Sequence, residues 1–121
     1  MSMKVLTVDD SRTMREMLRL ALTAAGFNVV QAVDGLDGLE ALERETPEFV
    51  ITGINMPKMD GFDFIEGARK IDRFRDLPIL VLTTETDPEK KGRARKAGAT
   101  GWIVKPFDPA KLIDVIRRVA A

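Results

Sequence analysis

Five short apolar runs alternate with segments of helical periodicity along this chain, and this alternation limits the fold more than any other feature. The runs cover residues 5–8, 28–32, 49–52, 78–83 and 101–104. Short apolar runs bounded by turn residues are typical of buried strands, and strands joined by helices pair in parallel through right-handed crossovers. The sequence therefore predicts an α/β fold, a doubly wound five-stranded parallel sheet with strand order 2-1-3-4-5.

The helices between these strands follow from the spacing of their apolar residues. Residues three or four positions apart lie on one face of a helix. Gly26 ends the first helix and Thr46-Pro47 ends the second. Asp87-Pro88 and Asp108-Pro109 each predict a helix start, because aspartate caps a helix and proline fits its first position. The predicted apolar faces are Met14, Met17, Leu18, Ala21, Leu22 and Ala25 in the first helix, and Leu36, Leu39 and Leu42 in the second.

The segment 88–97 is an unusual helix because it has almost no apolar face. Its sequence is PEKKGRARKA, and an interior glycine such as Gly92 costs about 1 kcal/mol relative to alanine. Two interpretations stay open. The segment is either an ordinary solvated helix or a loosely held element that shifts when a neighbouring site changes.

The composition excludes several classes of function. A chain of 121 residues predicts one domain over residues 1–121. Basic and acidic residues number 19 each, so no net charge favours nucleic acid or an anionic membrane as a partner. The absence of cysteine and histidine excludes disulfides, thiolate metal sites and imidazole catalysis. No apolar run approaches the about 18 residues of a membrane span, and we expect a cytoplasmic, monomeric protein.

Polar residues follow four of the predicted strands at the point where each strand ends. Parallel strands place these ends at one edge of the sheet, where ligands of such folds bind. Two adjacent acids, a hydroxyl and an ammonium would meet there. The residues are Asp9 and Asp10 after strand 1, Gly53 with Asn55 after strand 3, Thr83 and Thr84 after strand 4, and Lys105 after strand 5.

These residue types predict a site for Mg²⁺ and a phosphoryl group. Adjacent carboxylates repel each other unless a cation neutralises them, and Mg²⁺ prefers oxygen ligands while keeping several waters. Thr83 and Lys105 are suited to hold a phosphoryl oxygen and balance its charge. The alternative is that Asp9 or Asp10 merely caps the first helix.

Four segments resemble the characteristic segments of response-regulator receiver domains. They are VDDSRTMR at 8–15, NMPKMDG at 55–61, LTT at 82–84 and KPF at 105–107. Their order and intervals match over essentially the whole chain, and the match is best with single-domain chemotaxis receivers of the CheY type. The resemblance implies a two-component phosphorelay protein that is phosphorylated on aspartate by a histidine kinase with Mg²⁺, and that is not itself an enzyme.

The resemblance also implies roles for the strand-end residues. Asp9 and Asp10 would organise Mg²⁺, with Asp10 and the backbone carbonyl of Asn55 as direct ligands. Thr83 would move toward the phosphoryl group and Lys105 would pair with it, after a Lys105–Pro106 bond that is usually cis in the family. Thr84 is larger than the usual residue there, and its methyl group would narrow access to the phosphoryl group.

Gly53 departs from the family pattern. Counting back from Asn55-Met56-Pro57, it occupies the position of the phosphate-accepting aspartate. Thr52 and Ile54 cannot replace it, because one step along a strand turns a side chain to the opposite face. Glycine has no nucleophile, so this chain should not be phosphorylated here. It is either an engineered variant, which the intact remainder of the site favours, or a natural receiver that binds its partner without phosphorylation.

The implied partners are a CheA-like sensor histidine kinase and a downstream protein such as a flagellar motor switch component. Trp102 stands where the family has the aromatic that rotates inward on activation, although an ordinary half-buried strand aromatic fits the sequence equally. The basic residues of 88–97 would suit an acidic docking partner, or form only a solvated face.

Two other classes fit the same fold less well. A phosphatase with an aspartate nucleophile would need a second aspartate two residues after Asp9, where the chain has Ser11. A flavin-binding module would need a phosphate-cradling loop after strand 1, and two aspartates there would repel the phosphate.

Overall fold

The computed structural model describes residues 2–120, and the predicted alternation of strands and helices is present in it. The strands are β1 (Lys4–Val8), β2 (Asn28–Ala32), β3 (Phe49–Thr52), β4 (Ile79–Thr83) and β5 (Gly101–Val104). The helices are α1 (Arg12–Ala24), α2 (Gly35–Glu45), α3 (Gly61–Arg69), α4 (Pro88–Ala97) and α5 (Pro109–Ala120), and a short 3₁₀ helix covers Asp72–Phe74.

The five strands form one parallel sheet in the order β2-β1-β3-β4-β5. The predicted fold and strand order are therefore confirmed. β4 lies between β3 and β5 and is buried along its whole length, as its continuous apolar sequence indicates. The change of direction in strand order falls between β1 and β3, so the carboxyl ends of these strands flank the crevice where such folds bind ligands.

The sheet separates two apolar layers. Leu6, Val50 and Val81 face one layer, which contains buried residues of α2, α3 and α4. Val5, Ile51 and Leu82 face the other, which contains buried residues of α1 and α5. Successive strand residues point to opposite faces, so each strand contributes to both layers. Each fully buried large side chain contributes about 1.5–3 kcal/mol, and this packing makes the sheet a rigid support for its edges.

The apolar faces of α1 and α2 are narrower than the spacing predicted. On α1 only Leu18 and Leu22 are fully buried, and Met17 is 48% exposed. Met17 lies about 100° around the helix from Leu18, beyond the stripe that reaches the sheet. Leu36 is 45% exposed because it lies in the first turn of α2, at the rim of the sheet.

Side chains cap the helices where the sequence predicts. Asp87 accepts the backbone N–H of Glu89 at 2.9 Å, and Asp108 accepts that of Ala110 at 2.9 Å. The N-cap of α1 is Ser11, whose hydroxyl accepts the N–H of Met14. The alternative that Asp9 or Asp10 caps this helix is therefore wrong. Within residues 2–120, no helix has the length and apolar character needed to cross a membrane.

α4 is held mainly by contacts at its sides and end. Only Ala94 and Ala97 of this helix are buried. The guanidinium of Arg69 donates to the carbonyl of Gly98, just beyond α4, at 2.7 and 3.0 Å. The guanidinium of Arg93 lies 4.1 Å from the centre of the Phe62 ring, a cation–π contact. These contacts hold a helix that buries little apolar surface.

Candidate functional site

The carboxyl ends of the strands enclose a polar cavity of about 150 Å³. The structure brings together there every predicted site residue except Trp102. The cavity is lined by Asp9, Asp10, Gly53, Ile54, Asn55, Leu82, Thr83, Thr84 and Lys105. Because β1, β3, β4 and β5 all end at this edge, the topology alone unites residues that are distant in the sequence.

Asp9 is held in the cavity by contacts of both its side chain and its backbone. It is only 4% exposed, and its Oδ1 accepts the backbone N–H of Ser11 at 2.8 Å. Its backbone carbonyl accepts a hydrogen bond from the guanidinium of Arg15 at 2.7 Å. Its Oδ2 lies 3.5 Å from Nζ of Lys105. One carboxylate oxygen thus orients the side chain and the other faces the cavity. Asp10, by contrast, is exposed.

Gly53 follows β3 at the floor of the cavity. Its N–H donates to the carbonyl of Val8 at 2.8 Å, which continues the pairing of β3 with β1. A Cβ at this position would lie 3.2 Å from Oδ2 of Asp9, so a side chain here would start beside the acids. The buried hydroxyl of Thr52 instead donates to the carbonyl of Gly53 at 2.9 Å. The register therefore leaves the cavity without a carboxylate from β3.

A tight loop carries Asn55 to the cavity and returns the chain to α3. Lys58 adopts a left-handed conformation with φ of 67°, and the N–H of Gly61 donates to the carbonyl of Ile54 at 2.8 Å. A Cβ on Gly61 would lie 2.1 Å from the carbonyl oxygen of Gly53, so only glycine fits this close approach. This role of Gly61 goes beyond the predictions from sequence, although the glycine that ends NMPKMDG is a signal of it.

Thr83 and Lys105 close the other side of the cavity. Thr83 is 4% exposed, and its Oγ1 accepts the N–H of Glu85 at 3.1 Å, which leaves the hydroxyl proton available to donate. The N–H of Lys105 donates to the carbonyl of Thr83 at 2.8 Å. The Lys105–Pro106 bond is cis, as the resemblance implies. Thr84 is exposed at the rim.

Trp102 lies away from this cavity. It is half-buried on β5, pairs in register with Val81, and packs against the layer of α2, α3 and α4. It lines a separate small cavity of about 50 Å³ between β5 and α4, together with Lys91 and Arg95. Any influence of Trp102 on the strand-end site must therefore pass through a neighbouring element such as β4, β5 or α4.

The cavity offers oxygen ligands that suit a hard divalent cation. It has one carboxylate fewer than a site built from three acidic side chains. Asp9 and Asp10 offer carboxylate oxygens and Asn55 offers a backbone carbonyl, the ligand types that Mg²⁺ prefers. Within residues 2–120, no group of three or more acidic, histidine or cysteine side chains is placed to hold a metal ion.

Comparison with known proteins decides the family. The sequence profile of the response regulator receiver domain matches residues 5–117. The chain belongs to the response regulator receiver family. It is 40% identical over 119 residues to the chemotaxis protein CheY-3 of Vibrio cholerae, a match that covers 98% of this chain and 92% of that protein. The crystallised CheY4 of Vibrio cholerae superposes with a TM-score of 0.94 at 43% identity, covering 98% of this chain and 99% of that one.

Two further similarities are to parts of sensor histidine kinases. The chain is 35% identical over 116 residues to the sensor histidine kinase CheAY of Helicobacter pylori, covering 94% of this receiver but only 14% of that kinase. CheY-like receivers act with histidine kinases such as CheA. A receiver domain of the Pseudomonas aeruginosa kinase PA1611 is described with magnesium in its active-site cleft. It has a TM-score of 0.92, covers 99% of this chain and 98% of that one, and at 22% identity shows only the shared fold.

Proposed function

We propose that this receiver belongs to a chemotaxis pathway and that Gly53 holds it in the unphosphorylated state. The observation that carries the proposal is the position of Gly53, whose absent side chain would start 3.2 Å from Oδ2 of Asp9. Around this position the cavity keeps two acids, a buried hydroxyl and an ammonium. Only the group that would accept phosphate is missing.

The remaining carboxylates do not replace that nucleophile. Formation of an acyl phosphate requires a carboxylate oxygen that can attack phosphorus in line. Oδ1 of Asp9 is held by the N–H of Ser11, and Oδ2 is the oxygen that this proposal assigns to the cation. Asp10 lies at the exposed rim. We infer that the chain neither takes up a phosphoryl group at residue 53 nor acts as an enzyme on a substrate of its own.

The proposal includes Mg²⁺ as the resident cation. Asp9, Asp10 and the carbonyl of Asn55 would hold it, and the ion would neutralise the acids and an incoming phosphoryl group. With one carboxylate fewer, the Gly53 chain should bind Mg²⁺ more weakly than the Gly53→Asp variant, because carboxylate charge contributes directly to affinity. A titration that showed equal or tighter binding by the Gly53 chain would contradict this point.

The proposed partners are a CheA-like histidine kinase and a flagellar motor switch component. Their docking surface would be formed by α4, β5 and α5. The basic side chains of α4 and the half-buried Trp102 lie together on this surface around a small cavity. Because Trp102 is the only tryptophan in the sequence, its fluorescence reports on this surface alone.

The deciding experiment restores the missing side chain. The Gly53→Asp variant and the unchanged chain are each incubated with Mg²⁺ and a small-molecule phosphodonor, and intact mass and Trp102 fluorescence are recorded. We expect one phosphoryl group on Gly53→Asp and none on the Gly53 chain. Gly53→Asn is the matched control, since it supplies nearly the same shape without a nucleophile. A folded Gly53→Asp variant that stayed unmodified would favour a natural receiver that signals without phosphorylation.

A further inference from the structure

The cavity at Gly53 has room for the side chain that glycine lacks. Its volume is about 150 Å³, well above the roughly 15 Å³ of such space that one water needs. A Cβ at residue 53 would meet only Asp9 Oδ2, Asp9 Cγ and the carbonyl of Val8 as nearest atoms, at 3.2, 3.6 and 3.7 Å. A cavity left by a missing side chain can bind a small molecule that resembles the missing group.

The charges around the cavity define what that molecule must be. Asp9 and Asp10 carry two negative charges against the single ammonium of Lys105, so an anion alone would be repelled. A bound divalent cation reverses the balance to one net positive charge, which one monoanion then neutralises. Cation and anion should therefore enter together.

Lys105 and Thr83 retain donors for such an anion. Nζ of Lys105 lies 3.5 Å from Asp9 Oδ2, longer than the about 2.7–2.9 Å of a strong charge-assisted hydrogen bond. The Oγ1 of Thr83 accepts one hydrogen bond from a backbone N–H, which leaves its proton free to donate. Leu82 and Ile54 also line the cavity and offer apolar contact to a methyl group.

We propose that the Gly53 cavity binds a short-chain carboxylate of the size of acetate, together with a divalent cation. Acetate is the aspartate side chain with a hydrogen in place of its bond to Cα. Its carboxylate would supply the third acid of the cation site and accept hydrogen bonds from Lys105 and Thr83. This inference rests on the cation site of the proposed function. It adds a diffusible ligand, and the residue at position 53 determines whether that ligand can bind.

The proposal requires reciprocal coupling between the two ligands. A carboxylate that joins the cation site must tighten cation binding by the factor by which the cation tightens carboxylate binding. We expect acetate at saturating concentration to lower the Kd for Mg²⁺ about tenfold relative to chloride at equal ionic strength, within the usual range of coupling between sites.

The experiment is a set of calorimetric titrations with Mg²⁺ in matched chloride, acetate and acetamide solutions. Acetate should tighten binding, and acetamide, which lacks the charge, should not. Gly53→Asn fills the cavity with a neutral side chain and should lose the acetate effect. Acetate carbon relaxation in the presence of Mn²⁺ measures whether acetate binds next to the metal in the Gly53 chain.

The outcomes separate this inference from the proposed function. If Gly53→Asp is phosphorylated but acetate leaves Mg²⁺ affinity unchanged, the carboxylate site is absent and the receiver function stands. If acetate is coupled to Mg²⁺ while folded Gly53→Asp stays unmodified, the carboxylate site stands and the phosphorelay origin fails. An acetate effect that survives in Gly53→Asn, or tightening by orthophosphate but not by acetate, would overturn the assignment.

Discussion

At the scale of single residues, two buried threonines on neighbouring strands differ in whether their hydroxyl has a hydrogen-bond partner. The Oγ1 of Thr7 on β1 has no hydrogen-bond partner among residues 2–120, whereas that of Thr52 on β3 donates to the carbonyl of Gly53 at 2.9 Å. Both residues are fully buried. An unsatisfied buried hydroxyl costs free energy that a satisfied one does not.

Replacement by valine, which has almost the same shape, should therefore act in opposite directions at the two positions. We expect Thr7→Val to raise the free energy of unfolding by about 1 kcal/mol and Thr52→Val to lower it by about 1 kcal/mol. Urea unfolding with an unchanged m-value measures both. Destabilisation by Thr7→Val would indicate that its hydroxyl has a partner after all.

Glu85, at the start of the segment leading into α4, gives a pH-dependent contribution. The N–H of Asp87 and the ammonium of Lys90 donate to its carboxylate, and they hold the pKa of Glu85 below its ordinary value of 4.5. A lowered folded-state pKa stabilises the protein above the unfolded pKa, and that stability is lost as pH falls through the folded value.

The Glu85→Gln variant should therefore be less stable than the unchanged chain at neutral pH, and the difference should shrink below about pH 4.5. Unfolding free energies of both proteins between neutral and acidic pH measure this. Added salt should reduce the neutral-pH difference because Glu85 and Lys90 form an exposed pair. A difference that grew on acidification would contradict the assignment.

Single residues also show what the sequence can and cannot predict. Strand-end polarity is sufficient to identify Asp9, Thr83 and Lys105, because parallel strands share one edge. The sequence does not reveal that Arg15 fixes the carbonyl of Asp9, since an arginine in a helix is ordinary. The glycine that ends NMPKMDG is a signal in the sequence, but its steric reason appears only when the carbonyl of Gly53 is placed beside residue 61.

At the scale of elements, α4 is the helix whose sequence and packing agree least with an ordinary amphipathic helix. It buries only Ala94 and Ala97, so its stability depends on intrinsic helix propensity and on the contacts of Arg69 and Arg93. A Cβ on Gly92 would have no atom within 4 Å. Gly98, which ends the helix, has φ of 116°, and a Cβ there would lie 2.8 Å from Arg69.

We therefore expect Gly92→Ala to stabilise the protein by about 1 kcal/mol, because alanine favours the helix and meets no obstacle. Gly98→Ala is the matched control and should destabilise it, because the left-handed conformation strains a side chain. Thermal and urea unfolding measure both. Equal effects of the two substitutions would rule out this account of α4.

Element existence and type were predictable here because the strands are short and mostly apolar and four of the five helices have clear end signals. Which side chains of each helix are buried was less predictable. Met17 and Leu36 satisfy the helical spacing yet are exposed, because only a narrow stripe of each helix is buried. The spacing of residues in α4 also does not show whether the helix shifts as a unit. The contacts that hold it involve Arg69 and Phe62, which belong to α3.

At the scale of the whole molecule, a balanced net charge conceals an uneven distribution. Basic and acidic residues are equal in number, yet α4 contains five basic residues and one acidic residue in the stretch PEKKGRARKA. Lys91 and Arg95 are exposed and flank the cavity beside Trp102. A local patch of positive charge steers a negatively charged partner, although the molecule as a whole carries no net charge.

If α4 docks an acidic domain of the histidine kinase, reversing these charges should slow association. We expect the Lys91→Glu/Arg95→Glu variant to bind the kinase with an association rate lowered about tenfold at low salt, and with a weaker dependence on salt. The matched control is Arg44→Glu/Lys70→Glu, which reaches the same net charge through exposed residues outside the surface of α4, β5 and α5. Stopped-flow Trp102 fluorescence measures both rates. Equal slowing by the two variants would show that net charge, and not the α4 face, governs the encounter, whereas an unchanged rate in both would remove the acidic partner from the proposal.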